Sequence, residues 1–189
     1  MNLKIITDVV TEPLTLTEVK SHIRVEATDE NSYINSLITV AREFCETVTR
    51  RALATQTLEL ILDNFPRGNY LELPKSPVQS VESIKYKDSS GIETSWDSNY
   101  YIADIDKVPA IITPAYGVNY PSFVPYPTGA VRIRYIAGYT TDIPQSIKQA
   151  MLLLIGHLHE HREETTEKAL SIMPIGIKAL LTPYKLWGW

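Results

Sequence analysis

Residues 34–62 read INSLITVAREFCETVTRRALATQTLELIL, and the hydrophobic period changes part-way through them. Up to Val48 the apolar residues Ile34, Leu37, Ile38, Ala41, Phe44, Cys45 and Val48 recur at three- and four-residue steps, the spacing of one helix face. Asn35, Arg42, Glu43, Glu46 and Thr47 are left for the outer face, and Arg50 and Arg51 suit the negative end of the helix dipole. From Thr55 the pattern becomes that of strands, beginning with Thr57 to Leu62. A helical segment therefore gives way to a β module.

Upstream, Thr15-Leu16-Thr17-Glu18 is a capping box, with Leu14 and Val19 at the staple positions, so a short helix starts there and ends near Ile23 or Arg24. Thr28 and Asp29 are natural N-caps for the longer helix. Downstream, Tyr70–Leu73, Val81–Tyr86 and Ala130–Ile136 read as short strands, separated by turn signals such as 66–69 (PRGN) and 88–91 (DSSG). Ser95-Trp96 and Tyr100 to Ile102 supply further strands, and Ser89-Ser90 forms the tip of a hairpin between Tyr86 and Ile92. The five prolines between Pro109 and Pro127 predict an irregular, tyrosine-decorated loop.

Helix resumes at Ile143-Pro144, with Asp142 as cap and Pro144 in the first turn. Ile147, Ala150, Met151, Leu154 and Leu158 make one stripe, which Leu152, Leu153 and Ile155 widen beyond what a helix with one wet face carries. The excess predicts central burial or contact with another subunit. A last short helix is expected over Pro174–Leu181, followed by an aromatic end at Tyr184, Trp187 and Trp189 that suits docking on a partner.

The net charge of −4 argues against a protein whose main task is gripping phosphates. Arg132 and Arg134 alternate with apolar residues, and an ordinary solvated sheet face accounts for them better than a nucleic-acid surface. Cys45 is the single cysteine, which leaves no intramolecular disulfide and suggests a cytosolic chain. The longest apolar run, Ala150 to Ile155, is far too short for a bilayer, so no membrane role is expected. His157, Glu160 and His161 match H-x-x-E-H, which on a helix sets two imidazoles and a carboxylate together as a zinc hydrolase requires. Such a zinc takes a further carboxylate from a downstream helix, yet the 25 residues after Glu164 contain only Glu167. A solvated helix end is the simpler reading, and no metal, cofactor or catalytic residue is expected.

Taken in order, several stretches resemble the head-tail connector family of tailed phages, the adaptor or head-completion proteins, phage- or prophage-encoded. The resemblance is carried by Leu14 to Val25, the Ile34 to Ala54 helix, Thr55-Gln56-Thr57, Leu73 to Val81, Pro114-Ala115-Tyr116-Gly117, Val131 to Tyr139 and the Pro144 helix. It implies the long form of the family, an α+β fold in which a β module is inserted between helices sharing one core. The expected divisions are an N-terminal helical segment over 1–54, a β-rich insertion over 55–140, and C-terminal helices with an aromatic tail over 141–189. It further implies a non-enzymatic homo-oligomeric ring, a dodecamer matched to the portal protein. That ring would sit at the head–tail interface of the virion after assembly in the host cytoplasm. DNA would pass through its lumen without sequence-specific binding, and a tail-side or stopper protein would dock below. A DNA-packaging or nucleic-acid-binding factor is the alternative. The residues offered for partner docking are Tyr184, Leu186, Trp187 and Trp189; those offered for oligomer contact are Tyr116, Tyr120, Phe123, Tyr126, Leu152 and Leu153.

Overall fold

A computed structural model of the chain describes residues 2–140, 143–162 and 175–187. The chain divides into a β unit, formed by 1–10 with 54–139, and a helical unit, formed by 11–53 with the described residues from Thr140 onward.

Eight strands make up the β unit: β1 (Asn2–Thr7), β2 (Gln56–Leu62), β3 (Leu71–Leu73), β4 (Val78–Lys87), β5 (Glu93–Trp96), β6 (Tyr101–Asp104), β7 (Ala110–Pro114) and β8 (Val131–Ala137). Five form an antiparallel sheet in the order β1-β2-β8-β4-β5, and three a smaller one in the order β3-β7-β6. The central strand β8 alternates as a half-buried strand must: Val131, Ile133, Tyr135 and Ala137 point inward, with Arg132 and Arg134 on the other face. Two register shifts, at Val78/Ser80 and Val81/Ser83, break the alternation of β4, which is why its first residues escape a period-two reading. The hairpin after β4 is built as expected: the Asp88 carboxylate accepts from the backbone of Ser90 (2.9 Å) and Ile92 (3.0 Å), and Gly91 takes φ +84°.

Sequence and structure differ in two places here. Residues 2–7, assigned above to the helical segment, are an edge strand of the sheet; Leu3, Ile5 and Ile6 lack a clean alternation because little of β1 is buried on either face. The segment from Pro109 to Pro127 is not irregular throughout, since Ala110–Pro114 forms β7 and buries Ala110 and Ile112. Proline is tolerated at the end of β7, where the ladder stops. On β2, Glu59 is buried.

The helical unit holds α1 (Leu16–Ile23), α2 (Asn31–Thr49), α3 (Gln145–Glu160) and α4 (Ile175–Leu181), with a 3-10 turn at Thr182–Tyr184. The capping box at Thr15 forms in full, and Arg24 in the left-handed region (φ 58°) ends α1. On α2, Ile34, Leu37, Ile38, Ala41 and Cys45 are buried. Ile147, Ala150, Met151 and Ile155 of α3 and Ile177 and Leu181 of α4 are buried too, and α3 packs with both α2 and α4.

Thr28 and Asp29 do not cap α2. Glu30 occupies the cap position without a side-chain cap bond, its carboxylate being held elsewhere. Arg42 and Glu46, expected on the wet face, are buried. Arg42 meets Glu12 at 2.9 Å and Glu46 at 3.9 Å, and the Glu46 carboxylate accepts from the Leu53 amide at 2.9 Å. Both charges are thereby paired and hydrogen-bonded, the condition on which burial is tolerated. Pro144 lies at the cap of α3, one residue ahead of the helix, and its carbonyl accepts from Ile147 (2.9 Å) and Lys148 (3.2 Å). Asp142 and Pro174 lie outside the described residues.

Candidate functional site

The C-terminal segment divides into an anchor and an exposed tip. After the 3-10 turn, the Leu186 amide donates to the Thr49 carbonyl at 2.9 Å, and Arg51 Nε donates to the Tyr184 carbonyl at 2.6 Å. Thr49 and Arg51 lie at the C-terminal end of α2, where carbonyls lack helical partners, so these bonds satisfy groups that would otherwise need water. Leu186 is only 7% exposed and belongs to the subunit's own core, whereas Trp187 is 75% exposed, with the Lys185 ammonium 4.8 Å from its ring centroid. Of the residues offered for docking, Leu186 is used up internally, Tyr184 is half-buried, and Trp187 presents free aromatic surface. Trp189 lies outside the described residues.

The residues offered for oligomer contact also separate. Tyr120 stacks on Phe65 (5.1 Å between centroids) and sits 5.6 Å from Trp96, while Phe123 lies 4.9 Å from Tyr86. These rings form one aromatic cluster inside the β unit, and burial raises the Tyr120 hydroxyl above its ordinary value. Tyr116 is fully exposed at a turn where Gly117 takes φ +76°. Tyr126 is exposed beneath Lys87, whose ammonium lies 4.2 Å from the ring centroid. The neighbouring Ile92 and Val124 are exposed as well, and neither was singled out from the sequence. Both sit in short polar or proline-flanked stretches without period, which leaves no local signal. On α3, Leu152 is half-buried and Leu153 exposed, so the widened stripe does leave apolar surface uncovered within the subunit.

The histidine motif is not assembled into one cluster. His161 follows the end of α3, its ring 4.6 Å from that of His157, and Glu160 is exposed. His159, outside the motif, lies 3.0 Å from the Glu30 carboxylate, which also accepts from Arg162 at 2.6 Å. Arg162 in turn lies over Tyr33, 4.7 Å from the ring centroid. The hydrogen bonds from Arg162 and then His159 hold the Glu30 carboxyl below the usual carboxylate range. These residues clamp the end of α3 to the start of α2.

Arg132 and Arg134 flank the buried Glu59 at 3.5 and 2.9 Å, and Lys85 pairs with Glu93 at 2.9 Å. The shallow cleft of about 330 Å³ they line with Glu82 and Ser83 carries three acidic and three basic side chains. That balance removes the cationic face a phosphate-gripping strand needs.

Paired polar clusters, an internally anchored tail and apolar residues displayed at its tip, on α3 and at the loop ends define a structural protein whose surfaces serve assembly. Residues 12–185 match the head completion protein family. The chain belongs to that family, and its role is that of a structural head–tail connector of a virion. Among solved structures, it is similar to a chain in the neck of an empty gene transfer agent particle computed with C6 symmetry. The two are 25% identical over 100% of this chain and 99% of that one, with a TM-score of 0.81. A chain in the virion of the native particle (25%, 100% and 99%, 0.80) and one in the native neck computed with C12 symmetry (26%, 100% and 99%, 0.73) are similar in the same way. No curated protein matches the chain by sequence.

Proposed function

We propose that this protein is one subunit of a homo-oligomeric ring, a dodecamer matched to the portal, that docks beneath the portal protein, extends the DNA channel and receives a tail-side or stopper protein. The observation that carries this reading is the end-to-end likeness to a neck chain, at 100% and 99% coverage. Trp187 is the residue best suited to reach the portal, and Tyr116, Tyr126, Leu152 and Leu153 to meet neighbouring copies. Tyr120 and Phe123, half-buried with their rings packed in the aromatic cluster of the β unit, are less suited to that contact. The ring is one without a catalytic centre or cofactor: the match to the head completion protein family supports a structural role, and the single thiol, Cys45, is buried and pushed up to about 12 by burial and then by Glu46. DNA slides past a subunit of net charge −4 rather than binding to it.

Electron microscopy of the purified protein, alone and with its portal, tests this directly. Rings on the portal are the expected result; a monomer under both conditions overturns it. Tight DNA binding that falls steeply with salt would point to the packaging factor instead. Zinc-dependent hydrolysis lost in Glu160→Gln would point to an enzyme.

A further inference from the structure

The five-stranded sheet has two outer edges, and both are bare among the described residues. One is β1, in which Leu3 is half-buried and Asn2, Lys4, Ile5, Ile6 and Thr7 are all exposed, Ile5 to 53%. The other is β5, where Glu93, Thr94 and Ser95 are exposed and only Trp96 turns inward. An uncovered strand edge presents a row of backbone donors and acceptors ready to pair with another chain. A closed cyclic ring is built from heterologous contacts, in which one surface of a copy meets a different surface of the next. The sheet supplies two such surfaces of one kind.

We infer that β1 of one copy pairs with β5 of the next, so that the sheets join edge to edge around the ring; this rests on the ring reading above. Four antiparallel steps separate β1 from β5, so the two run in the same direction, and the pairing between copies is parallel over the four residues that β5 provides. Charge favours the match. Lys4 has no ion-pair partner among the described residues, and Glu93, at the start of β5, holds an exposed carboxylate 2.9 Å from Lys85 with Arg132 and Lys87 also nearby. The exposed Ile5 and Ile6 gain apolar cover from the neighbouring copy. Geometry is also consistent: at a strand spacing of about 4.8 Å, twelve five-stranded sheets in series close on a circle roughly 90 Å across, ample for a duplex within.

Cysteine cross-linking on the full chain tests the inference. Lys4→Cys and Thr94→Cys are surface changes, and the native Cys45 is buried and unreactive. Under conditions where rings are seen by electron microscopy, a short bismaleimide should convert the double variant into a ladder of covalent oligomers. An equal mixture of the single variants should stop at dimers, and each single variant alone should stay monomeric. Asn35→Cys with Thr94→Cys, which puts one thiol on the exposed face of α2, should give no ladder. Rings without a ladder, or a ladder equal to that of the Asn35 control, overturn the edge pairing while leaving the ring intact. The absence of rings with and without the portal overturns the ring reading, and the edge pairing with it.

Discussion

Substituting Leu186 and Trp187 separately should split the C-terminal segment into a part that holds the subunit together and a part that joins it to something else. Leu186 is 7% exposed, and its replacement by alanine removes most of a buried aliphatic side chain while leaving the amide bond to Thr49 in place. Leu→Ala changes in cores cost about 2 to 5 kcal/mol, and a site close to the chain end relaxes more readily than a central one, so about 2 to 3 kcal/mol is expected. With a urea dependence of about 1 to 3 kcal/mol per molar, that shifts the unfolding midpoint down by about 1 M or more. Trp187 is 75% exposed and touches mainly Lys185, an exposed cation–π contact worth about 0.5 kcal/mol. Trp187→Ala should therefore change the stability by no more than about 0.5 kcal/mol yet weaken capture by the portal. Urea titrations followed by the helical circular dichroism signal, with portal pull-down on the same preparations, read both quantities. A midpoint unchanged by Leu186→Ala, or lowered equally by Trp187→Ala, refutes the division. By the same reasoning, deletion of 184–189 should destabilise the helical unit, because it strips the anchor along with the tip.

Cys45 is fully buried with its thiol pushed up to about 12, so a thiol reagent at pH 8 should label the native protein hardly at all and the urea-unfolded protein completely. Gly138 sits at φ +119°, where an added Cβ would run into the Ala54 carbonyl; Gly138→Ala should cost about 2 to 3 kcal/mol by thermal melting, and an unchanged melt would show that the backbone there yields. Glu18, Glu30 and Glu93 are held below the usual carboxylate range by hydrogen bonds from Thr15, Arg162 and Lys85 respectively. Their stabilising effect is present above the unfolded value of 4.5 and disappears as pH falls through the lowered native values. Melting temperatures should drop on acidification below that point, and Glu30→Gln should make the drop smaller; an equal drop in the variant would mean that the clamp contributes nothing.

Read from the sequence alone, the helices and the central strand were accessible because the forces that define them act locally. The capping box at Thr15 closes within three residues, the stripe on α2 is a matter of period, and the alternation of β8 separates Val131, Ile133 and Tyr135 from Arg132 and Arg134 without reference to any partner. The resemblance to connector proteins rested on the order of such local pieces, and the family match bears it out. What tertiary structure alone decided is which polar groups go inside and which apolar groups stay out. Arg42 is buried because Glu12, 30 residues earlier, reaches it, and β1 is a strand because β2 lies alongside it. Leu186 is core, and Trp187 is not, because the end of α2 receives the backbone of a segment more than a hundred residues away, as in the Arg51–Tyr184 bond across 133 residues. Hydrogen bonds and burial of this kind depend on where distant segments meet, and that meeting is a property of the folded chain, with no trace in the period or composition of either segment.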